Sequence, residues 1–253
     1  MTTATYPSLA DRVVFITGGG SGIGAAMVDA FAANGARVVF VDIDVAASEA
    51  LVKELSGARH APLFLRCDLT DIPALRDAIA QAEKAAGPIG VLINNAANDD
   101  RHAVDAVTET YWDHAMAVNL RHQFFAAQAV RAGMRTLGGG SIINFSSIAW
   151  MVGHASMVAY TTAKAAVVGM TDSLARAFGE DNIRVNAIAP GAVITPRQLR
   201  LWLSKEDVKS FADRQCLHRS LRPDDIARVA LFLGADDSAM ITKQCLIVDG
   251  GLR

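Results

Sequence analysis

The amino-acid sequence predicts an α/β protein with a doubly wound, seven-stranded parallel sheet and helices on both faces. Apolar strand-like runs alternate with helical segments along the 253 residues, as a parallel sheet with crossover helices requires. Hydrophobic residues make up 51% of the chain and are mostly Ala and Val, which suits buried strands covered by Ala-rich helices. We interpret residues 1–253 as one domain. Strands are predicted at 13–17, 37–41, 63–67, 91–94, 141–145, 183–187 and 244–248, and helices at 24–34, 46–55, 72–86, 108–137, 158–178 and 223–233.

A glycine-rich turn joins the first predicted strand to the first predicted helix. The run Thr-Gly-Gly-Gly-Ser-Gly-Ile-Gly spans residues 17–24 with the spacing T-G-x-x-x-G-x-G. Glycines permit a tight turn and close approach of the backbone to a ligand, and a helix start offers free N–H groups to a pyrophosphate. The run therefore predicts a dinucleotide site. The residues of this turn that we expect to bind the cofactor are Gly18, Ser21, Gly22, Ile23 and Gly24.

An acidic residue ends the second predicted strand, roughly 20 positions beyond the glycines. Asp42 can accept hydrogen bonds from the hydroxyls of the adenosine ribose, and its carboxylate would repel a 2′-phosphate. No Arg or Lys replaces Ser21 or immediately follows Asp42, so the sequence favours NAD over NADP, with Ile43 also at the cofactor. Taken alone, Asp42 could instead cap the next helix.

The third and fourth predicted strands end at the same edge of the sheet, where doubly wound folds bind ligands. Asp68 could hydrogen-bond the adenine amine while Leu69 packs on the ring. Alone, Asp68 is equally plausible as the N-cap of the helix after Thr70. Asn95 and Ala96 follow the fourth strand and extend the predicted cofactor surface.

A Tyr-x-x-x-Lys pair predicts a general base. Tyr160 and Lys164 are four residues apart on a predicted helix and so share one face. We expect the ammonium to lower the pKa of the phenol from about 10 toward neutrality, so that the phenolate can take a proton. Ser147 follows the preceding strand and can donate to the substrate oxygen. Considered alone, the motif occurs often by chance, and such a pair would more often lie on the surface.

These motifs together resemble the short-chain dehydrogenase/reductase family over essentially the whole chain. The resemblance implies a Rossmann-like fold, a nicotinamide cofactor and a homotetramer. It implies that Asn119 kinks its helix and holds a water in a proton relay through Lys164 and Tyr160, and that Lys164 also binds the nicotinamide ribose. The residues that the resemblance places along the nicotinamide are Pro190, Gly191, Val193 and Thr195. Ala97 departs from the glycine that is usual in the family.

Three segments, at residues 98–102, 118–122 and 215–217, resemble the bacterial sugar 1-dehydrogenases of this family. The resemblance implies oxidation of a cyclic aldose at C1 to its lactone, with D-galactose or L-arabinose favoured. A polyol needs polar partners for its hydroxyls. The expected substrate-binding residues are Asn98, Ser147, His154, Tyr160 and Gln198, with Trp150 or Trp202 offering an apolar face.

The polar, helical stretch at residues 195–218 interrupts the alternation and is a candidate lid over the carboxyl edge of the sheet. The charged residues Asp99, Asp100 and Arg101 either contact the sugar or form a solvated loop or a salt bridge between subunits. His102 and His122 are interpreted as structural.

Bulk properties exclude several other classes. A net charge of −2 offers no electrostatic basis for binding nucleic acid or an anionic membrane. The three cysteines lie far apart without metal-ligand spacing, so no metal site is expected. The first residues do not resemble a secretion signal, and we expect a cytoplasmic protein.

A 3-oxoacyl-thioester or hydroxysteroid reductase is the alternative activity, and a non-catalytic dinucleotide-binding protein is the alternative of another class.

Overall fold

Seven parallel strands form one sheet in the order β3-β2-β1-β4-β5-β6-β7 in the computed structural model, which describes residues 4–253. The chain winds outward in both directions from the β1–β4 pair, so this pair marks the topological switch point. Because every neighbouring pair is parallel, all the carboxyl ends meet at one edge. The strands are β1 Val13–Thr17, β2 Arg37–Asp42, β3 Leu63–Arg66, β4 Val91–Asn94, β5 Gly140–Phe145, β6 Ile183–Pro190 and β7 Cys245–Val248.

Helices connect the strands and cover both faces of the sheet. The α-helices within residues 4–253 are α1 Gly22–Ala33, α2 Val45–Glu54, α3 Ile72–Ala86, α4 Glu109–Met116, α5 His122–Thr136, α6 Ala149–Val152, α7 Val158–Phe178, α8 Pro196–Leu201, α9 Lys205–Arg214 and α10 Pro223–Gly234. Short 3-10 helices occupy Pro7–Leu9, Val104–Ala106, Gly179–Asp181 and Asp236–Ser238. In this described part of the chain, no helix is long and apolar enough to span a bilayer.

Alternate side chains of β1 point into two separate cores. Val14 and Ile16 pack in one core with Phe31 of α1, where α10 also contributes apolar residues. Phe15 packs on the opposite face in a second core with Leu75 of α3, together with residues of α5 and α7. Both faces of the strand are therefore buried, and this explains why the strands appear in the sequence as continuous apolar runs rather than alternating ones.

The predicted α/β fold with a seven-stranded parallel sheet is confirmed, and one predicted helix differs in detail. The helix expected at 108–137 contains a π-helical turn, Ala117–Arg121, between α4 and α5. The side-chain amide of Asn119 donates to the carbonyl of Ala115, one turn earlier, at 3.0 Å. A side chain inserted into the helical ladder is a recognised cause of such an irregularity. The turn lies at the residue that the family resemblance implied would kink the helix.

Candidate active site

The glycine-rich turn packs tightly against the start of α1 and against the loop after β4. The amides of Gly18 and Gly19 donate to the carbonyl of Val41 at 2.8 and 3.2 Å, which folds the turn back over β2. A Cβ on Gly24 would overlap the carbonyl oxygen of Gly18, and a Cβ on Gly18 would lie 2.8 Å from the Cα of Ala96. Only glycine fits at these two positions.

The first turn of α1 suits the pyrophosphate of a dinucleotide. Ser21 is the N-cap residue, and its side chain makes no capping hydrogen bond to the helix. The backbone N–H groups of the first turn are therefore available to an anion, which the positive end of the helix dipole also favours. The bare backbone of the glycines allows close approach. The residues present at this turn fit the cofactor.

Asp42 lies beside the glycine turn with its carboxylate held by two backbone donors. One oxygen accepts from the amide of Gly20 at 2.9 Å and the other from the amide of Asp44 at 3.0 Å. The cap of α2 is Asp44, whose side chain accepts from Ala47, so the alternative role of Asp42 as a helix cap is wrong. Ile43 follows with 67% of its surface exposed at the open side of the cleft.

The alternative role of Asp68 as a helix cap is also wrong. Asp68 accepts hydrogen bonds from the backbone and side chain of Thr70 at 2.9 and 2.8 Å, which lower the pKa of its carboxyl group. The N-cap of α3 is Asp71, whose side chain accepts from Ala74 at 3.0 Å. Asp68 is exposed at the carboxyl edge.

The side chain of Thr17 joins the glycine turn to the loop after β4. Its hydroxyl oxygen accepts from the amides of Asn95 and Ala96 at 3.0 and 3.1 Å. In return, the side-chain amide of Asn95 donates to the carbonyls of Thr17 and Gly18 at 3.0 and 2.9 Å. This role of Thr17 was not predicted, although its place as the last residue of β1 was a usable signal.

The π-helical turn holds the same loop from its other side. The side-chain oxygen of Asn119 accepts from the amide of Asn98 at 2.9 Å, and Nε2 of His122 lies 3.2 Å from the carbonyl oxygen of Ala96. His122 is fully buried, and burial lowers the pKa of its imidazole to about 3, with the nearby charge of Lys164 acting in the same direction. The imidazole is therefore neutral at physiological pH and donates from Nε2 to the carbonyl.

Lys164 is buried behind Tyr160. Its ammonium donates to the carbonyl of Phe145 at 2.7 Å and lies 5.6 Å from the centroid of the Tyr160 ring. Only 1% of the Lys164 surface is exposed, and this burial lowers the pKa of its amine to about 7. Lys164 can therefore lose or gain a proton near neutrality.

The expected lowering of the Tyr160 pKa is not found, and the prediction was wrong in direction for this structure. Burial raises the pKa of the Tyr160 phenol to about 12, opposed in part by hydrogen bonding with the Ser147 side chain. A full positive charge beside the phenol would have lowered its pKa. Desolvation outweighs that effect here because it penalises both the phenolate and the ammonium.

Serine side chains after β5 connect Tyr160 and Lys164 to the sheet. The hydroxyl of Ser146 donates to the carbonyl of Lys164 at 2.7 Å and accepts from the indole N–H of Trp150 at 3.2 Å. The oxygen of Ser147 accepts from the amide of Ala149 at 3.1 Å, which holds this side chain toward the Tyr160 phenol.

The segment after β6 lies across the glycine turn. The hydroxyl of Thr195 accepts from the amide of Gln198 and caps α8, and a Cβ on Gly22 would lie 3.4 Å from the Thr195 methyl group. Gly191 is closely packed on Asp249, and Val193 forms an isolated bridge with Leu221. The expected cofactor residues after β6 thus lie at the same edge as the glycine turn.

The loop at residues 99–101 is not simply solvated. Asp99 forms an ion pair with Arg197 of α8 and accepts from the side-chain amide of Gln198 at 2.6 Å. The Arg101 guanidinium stacks on the Trp202 ring at 4.9 Å. Asp99 and Arg101 therefore bind the predicted lid within one chain, whereas Asp100 accepts from the Tyr111 hydroxyl of α4 at 3.2 Å.

The predicted substrate residues are only partly brought together. Asn98 and Tyr160 line the same small cavity, of about 40 Å³. Gln198 is tied to Asp99 beside them. His154 is exposed on the loop before α7, where its Nδ1 lies 3.3 Å from the hydroxyl of Ser156. The cavity is lined by Asn98, Asp100, Tyr111, His114, Ala115, Val118, Asn119 and Tyr160.

A doubly wound sheet with a glycine turn, a Tyr–Lys pair whose lysine is buried, and a neighbouring serine at its carboxyl edge defines a class of dinucleotide-dependent oxidoreductases. Residues 18–253 match the family model described as enoyl-(acyl carrier protein) reductase. The chain belongs to this family, the short-chain dehydrogenases/reductases, whose dehydrogenases use a nicotinamide cofactor.

Two sugar dehydrogenases and one solved structure are similar to this chain over nearly its whole length. The chain is 51% identical to the probable galactose dehydrogenase GalD of Rhizobium meliloti (strain 1021), covering 99% of this chain and 98% of that protein. It is 45% identical to D-xylose 1-dehydrogenase of Caulobacter vibrioides over the full length of both chains. A crystal structure from Sinorhizobium meliloti 1021, provisionally assigned as a short-chain alcohol dehydrogenase, superposes with a TM-score of 0.91 at 30% identity, covering 97% of this chain and 98% of that one.

Proposed function

We propose that this protein oxidises the C1 hydroxyl of a cyclic aldose to the aldonolactone with NAD as the hydride acceptor, and that D-galactose or L-arabinose is its preferred substrate. The observation that carries the proposal is the Tyr160 phenol, flanked by the Ser147 side chain and backed by the buried Lys164 amine. The similarity to a galactose dehydrogenase and a xylose 1-dehydrogenase supports an aldose as the substrate.

The chemistry follows from the hemiacetal carbon. Ser147 donates a hydrogen bond to the C1 oxygen, and ionised Tyr160 takes the proton of the C1 hydroxyl. The nicotinamide ring of the cofactor, when bound, accepts the hydride that leaves C1. The C1–O bond then becomes the carbonyl of a lactone, so the products are a lactone, a reduced cofactor and a proton on Tyr160.

The proton then has to leave Tyr160. The Lys164 amine lies 5.6 Å from the Tyr160 ring centroid and has a pKa of about 7, so it can pass a proton at physiological pH. Asn119 borders the cavity beside Tyr160, where a relay water would fit. Tyr160 must be ionised to act, and its raised pKa makes the base more effective at alkaline pH.

The preference for NAD rests on Asp42. Its carboxylate is anchored to the amide of Gly20, next to the turn that would hold the pyrophosphate. In this position it would bind the ribose hydroxyls and repel a 2′-phosphate. The remaining cofactor contacts are proposed for Asp68 and Leu69 at the adenine and for Thr195 at the carboxamide.

Steady-state assays at 340 nm test the proposal. We expect turnover of D-galactose, L-arabinose, D-xylose or L-fucose with NAD, and none with acetoacetyl thioesters. Replacing Tyr160→Phe should reduce kcat by at least about 1,000-fold, while the Kd for NAD stays within about twofold, because only the base is lost. Tyr6→Phe, at the far N-terminal end of the described chain, is the matched control and should keep full activity. Equal activity in Tyr160→Phe would refute the base, and turnover of thioesters alone would refute the sugar substrate.

Two further expectations stay predictions. The homotetramer can be checked by light scattering on the purified protein. The lid role of residues 195–218 can be checked by hydrogen exchange with and without NAD, because a segment that closes over the cofactor should become protected.

A further inference from the structure

Four side chains join the loop after β4 to helix α8 at the mouth of the cleft, and we name them the clasp: Asn98, Asp99, Arg197 and Gln198. The Asp99 carboxylate pairs with the Arg197 guanidinium through one oxygen and accepts from Nε2 of Gln198 through the other, at 2.6 Å. A second nitrogen of Arg197 donates to Oδ1 of Asn98 at 2.8 Å. The Asp99 side chain keeps only 16% of its surface exposed.

The clasp fixes the orientation of both amides by chemistry alone. A guanidinium can only donate hydrogen bonds, so it must face the oxygen of the Asn98 amide. An ionised carboxylate can only accept, so it must face the nitrogen of the Gln198 amide. Flipping either amide would place two donors or two acceptors against each other. Asn98 is thereby left with its NH₂ as a free donor, and Gln198 is left with its oxygen as a free acceptor.

The clasp lies next to the reacting group. Asn98 and Tyr160 line the same cavity, and the charges of Asp99 and Arg197 act on the Tyr160 phenol in opposite directions. The stacking of Arg101 on Trp202 ties the same loop to the end of α8 a second time. The loop that carries Asn98 and the helix that carries Gln198 are therefore joined at two points.

We infer that Asp99 and Arg197 are specificity-determining positioning residues, which present Asn98 as a donor and Gln198 as an acceptor to two hydroxyls of the substrate. This inference rests on the proposed function and deepens it. The complementary ligand is a polyol in which one hydroxyl accepts and a second donates. Inverting one of these hydroxyls leaves an amide without its partner, which is the kind of loss that discriminates strongly between substrates.

The ratio of kcat/KM for D-galactose to that for its C4 epimer D-glucose tests the inference. In Asp99→Asn the amide at position 99 meets Arg197 and Gln198 with one acceptor instead of two, so Gln198 can rotate. We expect the ratio to fall by about tenfold or more, mainly through the KM for D-galactose, while the KM for NAD stays within about twofold. Asp99→Glu keeps the charge and should restore much of the ratio. Arg200→Gln, at an exposed arginine on the same helix as Arg197, is the matched control. It should leave the ratio of kcat/KM and the KM for NAD unchanged.

The outcomes separate the inference from the proposed function. If Asp99→Asn lowers kcat/KM equally for both epimers, the clasp only anchors the lid and the inference is overturned. The proposed oxidation of an aldose would still stand. If the unaltered protein oxidises no aldose, the proposed function and the inference are both refuted. Should Asp99→Asn fail to bind NAD or unfold, Arg197→Lys gives the same test, because an ammonium keeps the charge but cannot hold Asp99 and Asn98 in the same geometry. An unchanged ratio in Arg197→Lys would equally overturn the inference.

Discussion

The buried imidazole of His122 should make the protein sensitive to mild acid. In the folded chain its pKa is about 3, whereas a histidine in the unfolded chain titrates near 6.5. Between these values the unfolded chain binds a proton that the folded chain does not. Stability contributed by the neutral imidazole is therefore complete above pH 6.5, declines as the pH falls below it, and is lost once the pH reaches about 3.

The size of the effect follows from the difference between the two pKa values. Each pKa unit corresponds to about 1.4 kcal/mol, so lowering the pH from 7 to 5 should cost about 2 kcal/mol at His122 alone. The full interval down to about 3 would amount to roughly 5 kcal/mol. This is a large part of the net stability of an ordinary domain, which is about 5–15 kcal/mol. The group is fully buried, so solvent screening does not reduce the effect.

Urea unfolding at pH 7, 6 and 5, followed by tryptophan fluorescence at constant protein concentration, measures the effect. His122→Gln keeps an amide donor for the Ala96 carbonyl and does not titrate, so its free energy of unfolding should fall less between pH 7 and 5, by about 2 kcal/mol. Carboxyl groups that titrate in the same interval are common to both proteins and cancel in the difference. His154→Gln, at the exposed histidine before α7, should follow the unaltered protein. Parallel curves for His122→Gln and the unaltered protein would show that the imidazole is not held neutral, and the reasoning would fail.

Two further predictions concern the cofactor site. Gly24→Ala should weaken NAD binding by on the order of 100-fold or more, measured by fluorescence titration, because its Cβ would overlap the carbonyl of Gly18 and open the turn that carries the pyrophosphate. Gly169→Ala, in α7 where an added Cβ meets nothing within 4 Å, is the control and should stabilise the fold by roughly 0.5–1 kcal/mol with unchanged binding. Asp42→Ala should lower the ratio of kcat/KM for NAD to that for NADP by about tenfold or more, because the ribose partner and the phosphate repulsion are lost together. A fixed ratio would contradict the assignment of Asp42.

The sheet and the positions of the candidate catalytic residues could be predicted because they depend on local patterns. Parallel strands buried on both faces appear as apolar runs such as that of β1, and their carboxyl ends must meet at one edge. Tyr160 and Lys164 are one helical turn apart, so their common face follows from spacing. Glycines 18 and 24 could be predicted for the same reason, since a tight turn has a local signature.

The remaining features depend on contacts between distant parts of the chain. Asp99 and Arg197 are far apart in the sequence. Neither residue type indicates that the two pair with each other rather than with water or with another subunit. The direction of the Tyr160 pKa depends on how strongly desolvation acts on the phenol and on Lys164, which spacing alone does not determine. The π-helical turn coincides with the hydrogen bond from the Asn119 side chain to the Ala115 carbonyl, which helical periodicity does not reveal. Hydrophobic periodicity over residues 108–137 predicts a helix. It does not show that one turn of this helix holds one residue more than an α-helical turn, as a π-helical turn does.

That additional residue shifts the phase of one helical segment against the other. One residue corresponds to a rotation of about 100° around the axis. The sheet-facing side of α5 keeps Ala126, Val130 and Met134 in the core, while α4 turns Tyr111 and Ala115 toward the cavity beside Tyr160. Substitutions on α4 can therefore change the cavity wall while α5 keeps its packing on the sheet. A one-residue deletion at this turn would bring the two segments back into phase and force both surfaces to change at once.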